Sequence, residues 1–289
     1  MIKKISIIVL TYNSEQLIFD CLDSIYKFND IGDSLEVIVV DNNSNDQNQV
    51  FTSIREKYPN DLQLINNPVN NGYGSGNNLG IKHSTSEYII IMNPDVRILN
   101  PIFKNLISKF EHNKKIGMLG VTFADKSNPF YFKPEYVSLL KSLFFNIYIY
   151  FKLFNKNQMY MSGSFLMFDK KAFVDAGLFD ENLFLFYEEA DISNRILKTG
   201  KYPVLAKDIE VYHLKHNIVF NDKLAAIELD SLEYYLNKYK LCSKKTFKTQ
   251  LLLYKIKYIA ASLLMNSQKK QLFENWIELL RTYTEKQKV

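Results

Sequence analysis

Three nearly unbroken apolar runs, each closed by polar residues, constrain this chain more than any other feature: ISIIVLTYN (5–13), LEVIVVDNN (35–43) and YIIIMNPD (88–95). A strand that is apolar on both faces must be covered on both sides, which in water describes a mostly parallel sheet held between helices. The stretches between the runs supply those helices. After the first run, Leu17, Ile18, Cys21, Leu22, Ile25 and Tyr26 form one apolar stripe at helical spacing, with Asn13 or Ser14 placed to cap it. A second helix is predicted through about 47–58, then a short strand in LQLINN (62–67) and a glycine-rich loop, GYGSGNNLGIKHS (72–84), that opens a third helix. The predicted fold class is α/β, a Rossmann-like, mostly parallel central sheet flanked by helices.

Sheets of this kind bind ligands beyond the carboxyl ends of their strands. Three strands deliver polar groups to that edge here: Thr11-Tyr12-Asn13, Asp41-Asn42-Asn43 and Asn93-Pro94-Asp95. Pro94 stiffens the chain just before Asp95, which fits a carboxylate held for a ligand. Asn-Pro-Asp and Asp-Asn-Asn are also good turn chemistry, so local sequence leaves both readings of Asp41 and Asp95 open. Gly72, Gly74, Gly76 and Gly80 do not have the spacing of a dinucleotide fingerprint; close approach of backbone to a ligand, or helix packing, explains them better.

Downstream, MSGSFLMF (161–168) reads as a strand, KKAFVDAGLFD (170–180) as a short helix and turn, and FYEEADISNRILKTG (186–200) as a helix ending at Gly200. Glu188, Glu189 and Asp191 crowd three carboxylates into its start. A helix N-terminus favours acids, but three neighbouring negative charges repel, and a cation or a proton-transfer task would offset that cost. YPVLAKDIEVYHLKH (202–216) carries a strand into His213 and His216; alone, His213 is a core histidine or a neutral ligand. Together these groups suggest a catalyst that binds a nucleotide, a divalent cation and a hydroxyl nucleophile. Asp95 with water would suit Mg²⁺ or Mn²⁺, and the 188–191 cluster would supply a general base.

Charge is unevenly placed. The chain has 36 Lys and Arg against 31 Asp and Glu, and from Asn221 onward the count is 13 against 7, so the whole surplus lies in the tail. That tail, with segments such as TQLLLYKIKYIAASLLM (249–265), is a basic amphipathic helical extension that either attracts an anionic surface or packs as a cap. The expected division is therefore a catalytic domain over 1–220 and an extension over 221–289. Cys21 and Cys242 lie outside any metal-ligand spacing, which fits a reducing compartment. The first strand begins at Ile5, too early for a signal peptide ahead of the fold, and no apolar run is long and uncharged enough to span a bilayer. Nucleic-acid binding is not expected, because the core lacks a basic stripe with interleaved aromatics.

The order of motifs resembles glycosyltransferase family 2, inverting enzymes with the GT-A fold, and within it rhamnosyltransferase-like members of bacterial surface-polysaccharide synthesis. The likeness runs over about residues 4–215. It is carried by SIIVLTYN, VIVVDNNSND, NNGYGSGNNLGI, IMNPDV, SGSFLMFDKKAFVDAGLFDE and FYEEADISNRI in that order. The resemblance implies that Thr11, Tyr12 and Asp41 hold the nucleobase and ribose of a nucleoside-diphosphate sugar such as a dTDP- or UDP-sugar. Asn13, Asn43, Gly74, Asn78 and Asn93 complete that expected site. It further implies that Asp95 and His213 bind the metal under the diphosphate, and that one of Glu188, Glu189 and Asp191 is the base. The acceptor would be a glycan, free or lipid-linked, and the location cytoplasmic at the inner membrane face. The chain departs from the family twice: Glu188-Glu189-Ala190-Asp191 stands for the usual Glu-Asp-x-Asp, and Asn93 for the first aspartate of D-x-D. A non-catalytic nucleotide-sugar-binding homologue and a sugar-phosphate nucleotidyltransferase are the competing readings; the latter needs a basic glycine-rich first loop that LTYNSEQ lacks.

Overall fold

A computed structural model describes residues 3–58, 62–214 and 220–286. The chain divides into two compact units. The first comprises Met1–Tyr131, Phe154–Phe184 and Glu188–Lys215; the second comprises Phe132–Leu153, Leu185–Tyr187 and His216–Val289. The boundary expected at 220/221 therefore omits two contributions to the helical unit. The internal stretch 132–153 joins it because it packs on the tail helices, as does the short piece at 185–187.

The first unit opens with β1 (Ile5–Thr11), α1 (Glu15–Lys27), β2 (Leu35–Asp41), α2 (Gln47–Lys57), β3 (Gln63–Asn66), α3 (Tyr73–His83) and β4 (Tyr88–Met92). It continues through β5 (Val96–Ile98), α4 (Phe103–His112), β6 (Ile116–Phe123) and β7 (Phe130–Phe132). After the excursion of α5 (Leu139–Leu143) and α6 (Phe145–Tyr150) into the second unit come β8 (Met159–Met161), β9 (Phe165–Asp169), α7 (Lys170–Asp175), α8 (Glu188–Lys198) and β10 (Tyr202–His213). The eight-stranded sheet has the order β3-β2-β1-β4-β9-β6-β10-β5. β1 to β4, β6 and β10 share one direction, while β9 and β5 run against their neighbours. The sheet is thus mostly parallel, as the two-sided apolar runs require.

Alternate residues of β1 face opposite layers. Ile5, Ile7 and Val9 join Ile18, Cys21, Leu22 and Ile25 of α1 and Phe51 and Ile54 of α2 in one core. On the other face α3 lies directly against the sheet. A Cβ on Gly76 would stand 2.5 Å from Leu10, and one on Gly80 2.5 Å from Ile8. These glycines were expected in a loop; they are inside the helix, and they let its backbone touch the strands. Phe168 and Phe173 stack at 3.9 Å beside it. Cys21 is buried, Cys242 exposed, and both are free.

The second unit is built on α9 (Asp222–Lys238), α10 (Ser243–Leu263) and α11 (Ser267–Lys286), which bury Leu229, Leu232, Leu236, Phe247, Leu280 and Tyr283 against one another. Among the described residues no helix is long and apolar enough to cross a membrane.

Candidate active site

The carboxyl edge of the sheet gathers the site. β1 and β2 end together, with Thr11 opposite Asp41, and both residues are buried. The loops beyond them are laced to each other. Asn13 donates its backbone N–H to the Ser44 hydroxyl at 2.8 Å and accepts at its side-chain oxygen from the Asn45 N–H at 3.1 Å. The Asp41 carboxylate accepts the Ser44 N–H at 2.8 Å, so it closes a turn and faces the edge at once. Asn13 and Asn43 hold left-handed backbone, φ +48° and +71°, which suits asparagine. The Tyr12 ring is about half exposed. This leaves an aromatic face, backbone groups and one carboxylate beside the ends of two strands.

Next to them β4 ends at Met92, and its chain turns through Asn93-Pro94-Asp95, where the Val96 N–H closes on the Asn93 carbonyl at 3.1 Å. β5 then pairs antiparallel with the last residues of β10, Val96 opposite His213. That register brings the Asp95 carboxylate within 3.3 Å of His213 Nε2. The Ser164 hydroxyl lies 3.3 Å from the same nitrogen, and Ser127 is 3.4 Å from Nδ1. The bond to Asp95, reinforced by the Asp125 charge and opposed by burial, raises the imidazole above its usual pKa. His216 lies outside the described residues.

The third part of the site comes from α8. Its three carboxylates separate by surroundings. Asp191 is fully buried and bound by Arg195, at 2.8 Å from Nε and 2.6 Å from Nη2, so its charge is spent within the helix. Glu188 is also buried; desolvation, then the neighbouring Glu189 charge, pushes its pKa well up. Glu189 is held partly open. Burial raises it to about 7, against the pull of its own N–H and that of Gly163. A Cβ on Gly163 would stand 1.9 Å from Glu189 Oε1, so only glycine leaves that carboxylate room. The same Gly163 accepts at its carbonyl from the Tyr73 hydroxyl at 2.9 Å, and Ser164 accepts at its carbonyl from the Asn93 N–H at 3.0 Å. Tyr73, half-buried and raised well above its usual pKa by desolvation and by Glu189, Glu188 and Asp95, completes the acidic side.

The structure thus brings Thr11, Tyr12, Asn13, Asp41, Asn43, Asn93, Asp95, His213 and Glu189 to one edge. It corrects two of the expected nucleotide residues. Gly74 faces Phe179, whose Cβ would be 2.9 Å from an added methyl, and serves packing. Asn78 is buried and spends its amide on Phe179 and Glu181, accepting the Phe179 N–H at 3.1 Å. Asp191 is corrected from candidate base to structural ion pair. Tyr73, Asp125, Ser127, Gly163 and Ser164 were not singled out. The Ser-Gly-Ser preceding an apolar strand was the available signal for the last two.

Asp95 and His213 fit a divalent cation in part. They offer one carboxylate and one imidazole, and among the described residues no group of three or more His, Cys, Asp or Glu is gathered to cage an ion. A hard cation shared with a diphosphate needs no cage, since phosphate oxygens and water fill the remaining positions.

A model described as glycosyl transferase family 2 matches residues 6–176. The low-salt glycan biosynthesis hexosyltransferase Agl10 of Haloferax volcanii is 25% identical over 207 residues, covering 68% of this chain and 62% of that protein. The poly(ribitol-phosphate) beta-glucosyltransferase of Bacillus spizizenii is 37% identical over 94 residues, covering 32% of this chain and 15% of that protein. The match spans less than two thirds of either relative's length. Among solved structures, the mannosyltransferase PcManGT of Pyrobaculum calidifontis, in complex with GDP-Man and Mn²⁺, superposes with a TM-score of 0.63 at 17% identity, covering 97% of this chain and 84% of that one.

Proposed function

From the premise that the chain belongs to glycosyl transferase family 2, we propose that it moves a hexose or deoxyhexose, a rhamnose-like sugar among them, from a nucleoside-diphosphate donor to a hydroxyl of a glycan acceptor in surface-polysaccharide synthesis. One observation carries this reading. In the segment Ser162–Ser164 the Ser164 carbonyl bonds the turn of Asp95 and Gly163 meets Glu189, so a base of pKa about 7 shares an edge with a carboxylate–imidazole pair.

Each part has a task. Tyr12 offers a face for the base, and Thr11, Asn13, Asp41, Asn43 and Asn93 line the nucleotide end. Glu189 takes the proton of the acceptor hydroxyl as its oxygen attacks the anomeric carbon. The diphosphate leaves from the opposite face, and configuration inverts in one displacement. Asp95 and His213 would hold Mg²⁺ or Mn²⁺, which when bound neutralises charge on the departing diphosphate. Carbohydrate transfer of this kind agrees with the names of the relatives, and Mn²⁺ with the neighbouring mannosyltransferase complex.

The test is a thermal-shift panel of dTDP-, UDP- and GDP-sugars with and without Mn²⁺, on the native chain and on Asp95→Ala. Stabilisation by one donor, dependent on metal and lost in the variant, is expected. No shift with any donor at concentrations well above micromolar would favour a homologue that does not bind sugar nucleotides.

A further inference from the structure

The second unit carries a surface that the proposed transfer does not use. Between Tyr136 and Phe154 the chain contains no Asp or Glu, and its cations there are Lys141 and Lys152. Within that stretch α5 reads LLKSL and α6 FNIYIY, yet neither helix buries a single residue. Tyr150 is 80% exposed, Leu140 67%, Phe151 61% and Phe144 54%, with Leu143, Ile147 and Leu153 about half open. Seven such side chains leave about 700 Å² of apolar surface in water, more than an ordinary monomer shows in one patch.

Composition and charge choose the occupant. Phenylalanine and tyrosine on short helices suit the boundary between headgroups and acyl chains, where a ring finds both an apolar and a wet side. A stretch without acids, flanked by lysines, complements an anionic surface. α5 packs against α10, which carries Lys244, Lys245 and Lys248 around one groove. We propose that the α5–α6 segment is an interfacial wedge that seats this protein on an anionic bilayer, its rings entering the headgroup boundary while the lysines of α10 supply the electrostatic attraction. The basic tail alone is then insufficient for binding. This deepens the proposed transfer and rests on it in one respect: a lipid-linked acceptor would meet the enzyme at the bilayer surface.

Sedimentation of the full chain with vesicles tests it, using phosphatidylglycerol mixed with phosphatidylcholine and phosphatidylcholine alone. Binding to the mixed vesicles that weakens with salt is expected. Phe144→Ser/Tyr150→Ser should lower the partition coefficient by about tenfold or more, and Leu140→Ser/Phe151→Ser, a second exposed pair, should do the same. Both keep the native melting profile if the residues are as solvent-open as they stand. Undiminished binding by both variants would overturn the wedge. So would absence of vesicle binding by the native chain, or self-association abolished by the same substitutions without vesicle binding, which would assign the face to a second copy. Because the assay needs no turnover, loss of the wedge with a retained donor-dependent thermal shift leaves the transfer reading standing.

Discussion

Glu189→Gln should cut turnover steeply and at the same time make the protein more stable, and the pH at which it does so is set by the structure. The unfolded chain releases the Glu189 proton near the ordinary value of 4.5, whereas burial holds it in the folded state to about 7. Between those values the folded state binds more protons, so this group makes stability fall as pH rises. Below about 4.5 both states are protonated and the group contributes nothing; above about 7 the whole penalty is present. The difference corresponds to about 3 kcal/mol, and about 2 kcal/mol once solvent reaching the partly open carboxylate is allowed for. Glutamine keeps the shape and an oxygen for the Gly163 N–H while removing the charge. Its melting temperature should therefore exceed the native one by about 3 °C near pH 8 and by almost nothing near pH 4.5. Turnover should fall by about two to four orders of magnitude, and the native kcat/KM should rise with pH through a limb near 7. Denaturation of both proteins across that pH range, beside a donor-turnover profile, is the assay. Equal stability near pH 8, or a gain that does not change with pH, would refute the argument that Glu189 is held ready at an energetic cost.

Three other substitutions separate roles in the same region. Gly163→Ala forces the Glu189 carboxylate from its place, where the added carbon would stand 1.9 Å from Oε1; kcat should drop about a hundredfold with donor KM little changed. Tyr73→Phe removes the 2.9 Å bond to the Gly163 carbonyl and should cost about 1 kcal/mol of stability and about tenfold in kcat, a loss read by chemical denaturation and by turnover. Arg195→Met leaves the fully buried Asp191 without its counterion and should destabilise by about 3–5 kcal/mol, while Asp191→Leu/Arg195→Met recovers most of that stability. Retained turnover in the double variant would separate Asp191 from proton transfer; its complete loss in a folded double variant would return Asp191 to the list of candidate bases.

The parts of the fold that local pattern encodes were readable. β1, β2 and β4 are apolar on both faces, and their ends carry the residues that line the edge, because a strand's exit from a two-sided core is where its polar residues must appear. At the glycines of α3 the sequence leaves two readings, approach to a ligand and helix packing, and the structure shows packing. Gly74, Gly76 and Gly80 signal close approach, and sequence cannot tell whether the approaching partner is a ligand or a strand; Leu10, Ile8 and Phe179 are the partners here. The three carboxylates of α8 looked equivalent for a similar reason. Their difference is tertiary: Arg195 lies one helical turn on from Asp191, burial takes Glu188, and Gly163 frames Glu189. The stretch 132–153 carries no local signal of the unit it joins, and its union with the tail helices depends on contacts far apart in sequence.

The direction of one strand explains why Glu189, the proposed base, and the Asp95–His213 pair meet at all. β9 lies between β4 and β6 and runs against both, with Phe165 opposite Met92 and Asp169 opposite Tyr88. Had it run parallel, its far end would have reached the carboxyl edge, presenting Asp169 to the ligand. In the observed register Asp169 sits at the other edge of the sheet, paired with Lys201 at 2.7 Å and capping α7 through the Ala172 N–H. The beginning of β9 takes its place at the site, and the residues entering it are Ser162, Gly163 and Ser164. Their hydroxyls are small and their backbone is open, so one three-residue segment can reach His213 from Ser164, the Asp95 turn from the Ser164 carbonyl, and Glu189 from Gly163. A side chain at 163 would break the last of these contacts, and a parallel β9 all three. Reversal of a single strand therefore couples Glu189 on a helix to Asp95 in the turn after β4 and His213 at the end of β10, and the small residues at its start are the price of that coupling.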